Sequence, residues 1–80
     1  MDILGYLGDY VFVYTKHALE KMDALGIEKR DIENAIAKGM KWKEEANDKW
    51  HAQMADIEVV FIKQDKNFFI ITAYLAGRSK

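Results

Sequence analysis

Eighty residues with twelve Lys and Arg, thirteen Asp and Glu and a formal charge of −1 make one domain near the lower size limit for a self-supporting core. Without cysteine the chain has neither a disulfide nor a thiolate metal site. Without a basic excess it lacks the charge by which dedicated nucleic-acid binders neutralise phosphate. Half of the residues are hydrophobic and 31% are charged, the balance of a compact core under a solvated surface.

The chain divides into an N-terminal extension over residues 1–9, a core over 10–75 and a basic tail over 76–80. Residues 1–7 carry no basic region and are too short to span a bilayer, so a cytoplasmic protein without membrane contact is expected. Residues 2–8 read either as one helical turn, with Ile3, Leu4 and Leu7 on a face, or as an apolar lead-in that packs on a neighbouring subunit. Tyr10-Val11-Phe12-Val13-Tyr14 is β-branched and aromatic throughout and reads as a strand.

Thr15 can cap the helix that follows with its hydroxyl, and Gly26 can close it in the left-handed conformation, with Ile27 folded over the last turn. At about 100° per residue, Ala18, Met22 and Leu25 share one face, while His17 and Lys21 stack one turn apart at its edge. A second helix runs over residues 28–38, with Asp31 suiting the macrodipole in its first turn, Ile32, Ala35 and Ile36 on one face, and Gly39 as its stop. Past Gly39 the period changes from helical to alternating. Strands are expected from Met40, at Trp50-His51-Ala52-Gln53-Met54, over residues 57–62 and over residues 68–75. Turns fall at Asn47-Asp48, at Ala55-Asp56 without the glycine such a turn favours, and at Gln64-Asp65-Lys66-Asn67. The run over 68–75 holds no charge and should be central in the sheet. The expected fold class is therefore α+β: an N-terminal strand, a two-helix hairpin and a three- or four-stranded antiparallel meander.

His17-Ala18-Leu19-Glu20-Lys21-Met22-Asp23-Ala24-Leu25-Gly26-Ile27 resembles the opening of a family of small, largely uncharacterised bacterial and archaeal domains. Their pattern is His-Ala-x-x-Arg-Met-x-x-Arg-Gly-Ile, followed by a second helix and a meander that ends in a Thr-x-Tyr strand, here Ile71-Thr72-Ala73-Tyr74. The resemblance covers about residues 13–74, and Lys21 and Leu25 stand where the pattern has arginines. Lysine keeps the charge but loses the planar fork that grips phosphate, and leucine loses both. The family is similar in fold to the RelE/ParE toxins, several of which are metal-independent ribonucleases. The resemblance therefore implies a toxin–antitoxin or RNA-processing protein, with RNA and an antitoxin-like protein as partners and no cofactor.

For such an activity His17 and Lys21 are the catalytic candidates, an imidazole to move a proton and an ammonium to meet phosphate charge. The alternative is architectural, with His17 hydrogen-bonded across to the sheet. Arg78 would contact substrate in the position where the resemblance implies late basic residues. Trp42, Trp50, Tyr74 and the pair Phe68-Phe69 can stack nucleobases, with Trp50 a substrate-site candidate, or belong to the core or a buried dimer seam. His51 can join the substrate site or simply face solvent, and two histidines so far apart have no ligand spacing, so no metal is expected. The competing function is a non-enzymatic interaction module on the same fold. More apolar sheet surface than two short helices can cover points to a homodimer. The periodicity itself is testable: Met22→Ala or Ile36→Ala should cost about 2–5 kcal/mol in chemical denaturation if both side chains are buried against the sheet.

Overall fold

The computed structural model describes the backbone of residues 2–7 and all atoms of residues 10–76. In chain order the elements are β1 (Asp2–Leu7), β2 (Tyr10–Tyr14), α1 (Lys16–Leu25), α2 (Lys29–Lys38), β3 (Met40–Lys43), β4 (Lys49–Met54), β5 (Ile57–Gln64) and β6 (Asn67–Leu75). The strands form one six-stranded sheet in the order β1-β2-β6-β5-β4-β3. All neighbours are antiparallel except β2 and β6, which run parallel because the helix hairpin and the meander separate them in the chain. The fold is thus α+β, with a four-stranded meander at the upper end of the expected count and the apolar run of β6 in the interior of the sheet. The N-terminal segment is a strand rather than a helical turn. It pairs along the otherwise free edge of β2, which supplies the backbone partners that an isolated turn would lack.

The local signals act as read. Thr15 Oγ1 accepts the Ala18 N–H at 3.1 Å, and Gly26 takes φ 73° and donates its N–H to the Met22 carbonyl. At the start of α2 the Asp31 carboxylate accepts the Glu28 N–H at 2.9 Å. Ala18, Met22, Ile32, Ala35 and Ile36 are buried, Leu25 packs at their margin, and both helices join one core with Phe12, Tyr14, Val59, Phe61, Phe68 and Ile70. Four fully buried alanines, Ala18, Ala35, Ala52 and Ala73, line this helix–sheet interface and let the backbones approach. At its far end Phe68 stacks on Tyr10 at 4.7 Å and meets Phe61 edge-on at 5.5 Å, the offset and T-shaped geometries that aromatic quadrupoles prefer. Val13 and Val60 are also buried, but outside this cluster, on the face turned away from the helices.

One irregularity governs the sheet. Val60 pairs with Thr72 while its neighbour Phe61 pairs with Ile70, so Ile71 is an extra residue in β6. Thr15 tethers this bulge: its hydroxyl donates to the Ile70 carbonyl at 2.9 Å, with that of Ile71 at 3.2 Å, and its backbone N–H donates to Ile70 at 3.2 Å.

Two backbone positions give predictions of opposite sign. A Cβ on Gly39 would lie 2.4 Å from the Gln53 carbonyl oxygen and 2.6 Å from that of Ala35, both rigid backbone atoms. Gly39→Ala should therefore destabilise by about 3 kcal/mol in urea titration. Ala55, in the two-residue turn between β4 and β5, sits at φ 57°, where a Cβ is strained. Ala55→Gly should gain from a few tenths to about 1 kcal/mol in the same assay, the relief exceeding glycine's extra chain entropy.

Candidate functional site

Strand alternation sends Trp50 and Ala52 toward the helices and His51 to the opposite, uncovered face. There His51 pairs across strands with Trp42 of β3, and the two rings stack at 5.2 Å with planes 2° apart. Glu58 of β5 lies diagonally from His51 and directly opposite Tyr74 of β6. The side chains form a continuous chain of hydrogen bonds. Tyr74 donates its hydroxyl to Glu58 Oε2 at 2.5 Å, the same oxygen lies 2.7 Å from His51 Nδ1, and His51 Nε2 lies 2.5 Å from Glu44 Oε2.

Glu44 stands just past β3, in the loop over residues 44–48. Its backbone N–H donates to the Lys49 carbonyl at 2.9 Å. Asn47 organises the loop: its Nδ2 donates to Glu44 Oε1 at 2.8 Å and its Oδ1 accepts the Lys49 N–H at 2.8 Å, while Lys43 Nζ donates to its carbonyl at 3.0 Å. The side chains of His51 and Glu58 are each 13% exposed and that of Glu44 is 36% exposed, so the network is sheltered at Glu58 and opens to water at Glu44.

The titration behaviour follows from this geometry. Burial alone pushes the His51 pKa down, but hydrogen bonds to Glu44 and Glu58, with their charges, outweigh it and leave the imidazole above its ordinary 6.5. Glu44 is held below the ordinary carboxylate value, first by His51 and then by Asn47. Tyr74 is pushed up to about 12 by its bond to Glu58, with burial and the Glu58 charge adding to it. The arrangement therefore stores a proton on an imidazole between two carboxylates, and it can pass that proton outward through Nε2. The two carboxylates hold opposite edges of one ring, so the three groups do not converge on a common point. Among the described residues no three His, Asp or Glu side chains are placed to hold a metal ion.

Of the candidate catalytic and substrate-binding residues His51 alone belongs to this network, joined by Trp42 and Tyr74 from the aromatics weighed for base stacking. His17 is exposed in the first turn of α1, and Lys21 is half-buried one turn on, both on the helical side of the molecule. The bond across to the sheet expected of His17 is made instead by Thr15. Trp50 faces the helices and packs on Phe61 at 6.4 Å, and Arg78 lies outside the described residues. His51 is sheltered rather than solvent-facing. Glu44, Asn47 and Glu58 were not legible as members of a site. The one available signal was Glu58, a lone charge in the otherwise apolar run over residues 57–62.

Two helices on one face of a mixed sheet, with an ionic network on the other, define a small α+β domain with a single built polar site among its described residues. The chain belongs to the family DUF4258, a domain of unknown function, which it matches over residues 14–75. No curated protein and no solved structure matches it. Among the described residues no helix is long and apolar enough to cross a membrane.

The signs of the two shifts define a pH window. His51 is raised, so its stabilisation is fully present below 6.5 and is lost as the pH climbs through its folded value. Glu44 is lowered, so its stabilisation is present above 4.5 and is lost as the pH falls through its folded value. The stability difference between wild type and His51→Gln should therefore be largest between about pH 5 and 6.5 and shrink toward pH 9, read from urea midpoints along the pH series.

Proposed function

We propose that this domain is a RelE/ParE-like protein of toxin–antitoxin or RNA-processing type, a metal-independent endoribonuclease that works on the open face of its sheet. The chain Tyr74–Glu58–His51–Glu44 beside the exposed Trp42 carries this reading. The order of strand, helix hairpin and meander, which the sequence resemblance implies, supports it.

Metal-free cleavage of RNA uses the neighbouring 2′-hydroxyl as nucleophile, with one group removing its proton and another protonating the departing 5′-oxygen. Glu44, ionised and the most exposed member, is suited to take the first proton. The His51 imidazolium, presenting Nε2–H toward Glu44 and the loop mouth, is suited to give the second. The 2′-oxygen then bonds to phosphorus, the bond to the 5′-oxygen breaks, and a 2′,3′-cyclic phosphate remains. Proton return from Glu44 to His51 over their 2.5 Å contact resets the pair. Glu58, itself fixed by Tyr74, orients the ring through Nδ1, as a carboxylate orients histidine in hydrolytic triads. Trp42 offers a face for an unpaired base. Lys49, whose charge already acts on Glu44, is the nearest cation of strand β4 for the phosphate.

The His17–Lys21 pair on α1 is the competing location for the same chemistry, and one experiment separates the two. With a single-stranded RNA oligonucleotide in EDTA, His51→Ala and Glu44→Gln should each lower cleavage by at least about a hundredfold. His17→Ala should leave it within a few fold, with melting temperatures as the folding control. The reverse pattern moves the chemistry to α1, and a wild-type protein that does not cleave retires the enzyme reading.

A second reading is a non-enzymatic module that binds a second copy or an antitoxin-like protein. The dispersal of the described cations over α1, both ends of α2, the β3 edge, the start of β4 and the β5–β6 hairpin favours it, as does the exposure of Met40, Trp42, Met54 and Leu75. A micromolar dimer in sedimentation equilibrium, joined to absence of cleavage, selects this reading.

A further inference from the structure

The two ring nitrogens of His51 face two carboxylate oxygens, Glu58 Oε2 at 2.7 Å and Glu44 Oε2 at 2.5 Å. An imidazolium has two N–H donors and satisfies both. A neutral imidazole has one donor and one lone pair, and a lone pair held against an ionised carboxylate at that distance is repulsive. Both contacts therefore coexist only while a proton lies between each pair of partners.

The surroundings decide which contact yields. Every charged or titratable group that borders the ring enters the comparison: Glu44 and, through Asn47, Lys43 from the β3 side, Lys49 on β4, Glu58 on β5 and Tyr74 on β6. Glu58, the second residue of β5, is paired on both sides, to Gln53 of β4 and Tyr74 of β6, is sheltered, and receives the Tyr74 hydroxyl on the oxygen that meets His51. It keeps a donor whichever form the ring takes. Glu44 stands beyond the end of β3 and is the most exposed of the four, at 36%, and its other oxygen is bonded by Asn47 of its own loop, so carboxylate and loop can swing into water together.

From this geometry we infer that the domain contains a proton-operated latch: the doubly protonated ring of His51 clasps Glu44, and loss of the Nε2 proton releases the loop over residues 44–48 while the Glu58–Tyr74 half stays closed. Release uncovers the outer edge of the ring beside Trp42 and leaves the four-residue β3 edge without its loop clasp, held by its pairing to β4 and the Trp42–His51 stack. The latch follows from proton count and packing, and it operates whether or not the domain cleaves RNA.

Ring-nitrogen NMR of the full chain labelled at histidine tests it, with His17→Gln to assign the two histidines. Both His51 nitrogens should be protonated at pH 6, and the midpoint of deprotonation should lie above the ordinary histidine value. The remaining proton should stay on Nδ1. Backbone amides of residues 44–49 should shift with the same midpoint, while those of Glu58 and Tyr74 hold still. In Glu44→Gln the midpoint should fall by about one pH unit and the loop transition should disappear. Retention of the proton on Nε2, loop amides that do not follow the ring, or a midpoint unmoved in Glu44→Gln would each overturn the latch. Because no RNA is used, failure here leaves the cleavage proposal standing, and failure to cleave leaves the latch standing.

Discussion

A single extra residue in β6, Ile71, is the constraint on which both faces of this domain depend. With Phe68 and Ile70 directed to the helices, strict alternation would carry Thr72 and Tyr74 into the same core. The bulge skips one position, so that Ala73 enters the core and Tyr74 emerges opposite Glu58 on the open face. The helix-side core gains a small residue where a backbone must approach, and the open face gains the hydroxyl that holds Glu58. Thr15 makes this irregularity durable. Its one hydroxyl accepts the Ala18 N–H in the first turn of α1 and donates to the bulge carbonyls, so the start of the helix hairpin and the break in β6 are stabilised by the same group.

The two faces of the sheet follow different physics. On the helix side, large aromatic and branched side chains from the strands fill space and four alanines set the distance, and the buried Tyr14 hydroxyl reaches the Lys29 carbonyl at 3.5 Å. On the other side a sheltered histidine, two carboxylates and a tyrosine satisfy one another. Such a network is stable only when every member is partnered, because each unpaired group would carry its full desolvation cost. Among the described residues no buried side-chain polar atom lacks a partner. The network closes completely with His51 protonated, which ties the order of an exposed loop to a single proton.

This division bears on where chemistry can reside. His17 and Lys21 are fixed one helical turn apart, but among the described residues no third group is supplied to orient them. His51 is held from three sides, by stacking on Trp42 and by a carboxylate at each ring nitrogen, and preorganisation of that kind is what acid–base work requires. The carboxylates that hold the ring also disfavour a phosphate beside it. Any RNA would therefore enter at the loop mouth beside Glu44 and Nε2 of His51, with Lys49 to meet its charge, rather than at the sheltered Glu58 side of the network.

What the sequence determined by itself was local. The caps at Thr15 and Gly26, the stripe of Ala18, Met22, Ile32 and Ile36, and the change of period at Gly39 arise from neighbours three or four residues apart, and their physics is complete within one or two turns. These signals sufficed for two helices, an alternating meander and a central β6. Tertiary structure decided the rest. Residues 2–7 became a strand because β2 offered an edge. The Gly39 requirement came from β4, through the Gln53 carbonyl. The site itself draws Trp42, Glu44, His51, Glu58 and Tyr74 from four strands and a loop, and they meet only through cross-strand register. A one-residue bulge changes that register, and hence the face of every residue beyond it, while leaving the composition and local period of the strand almost unaltered.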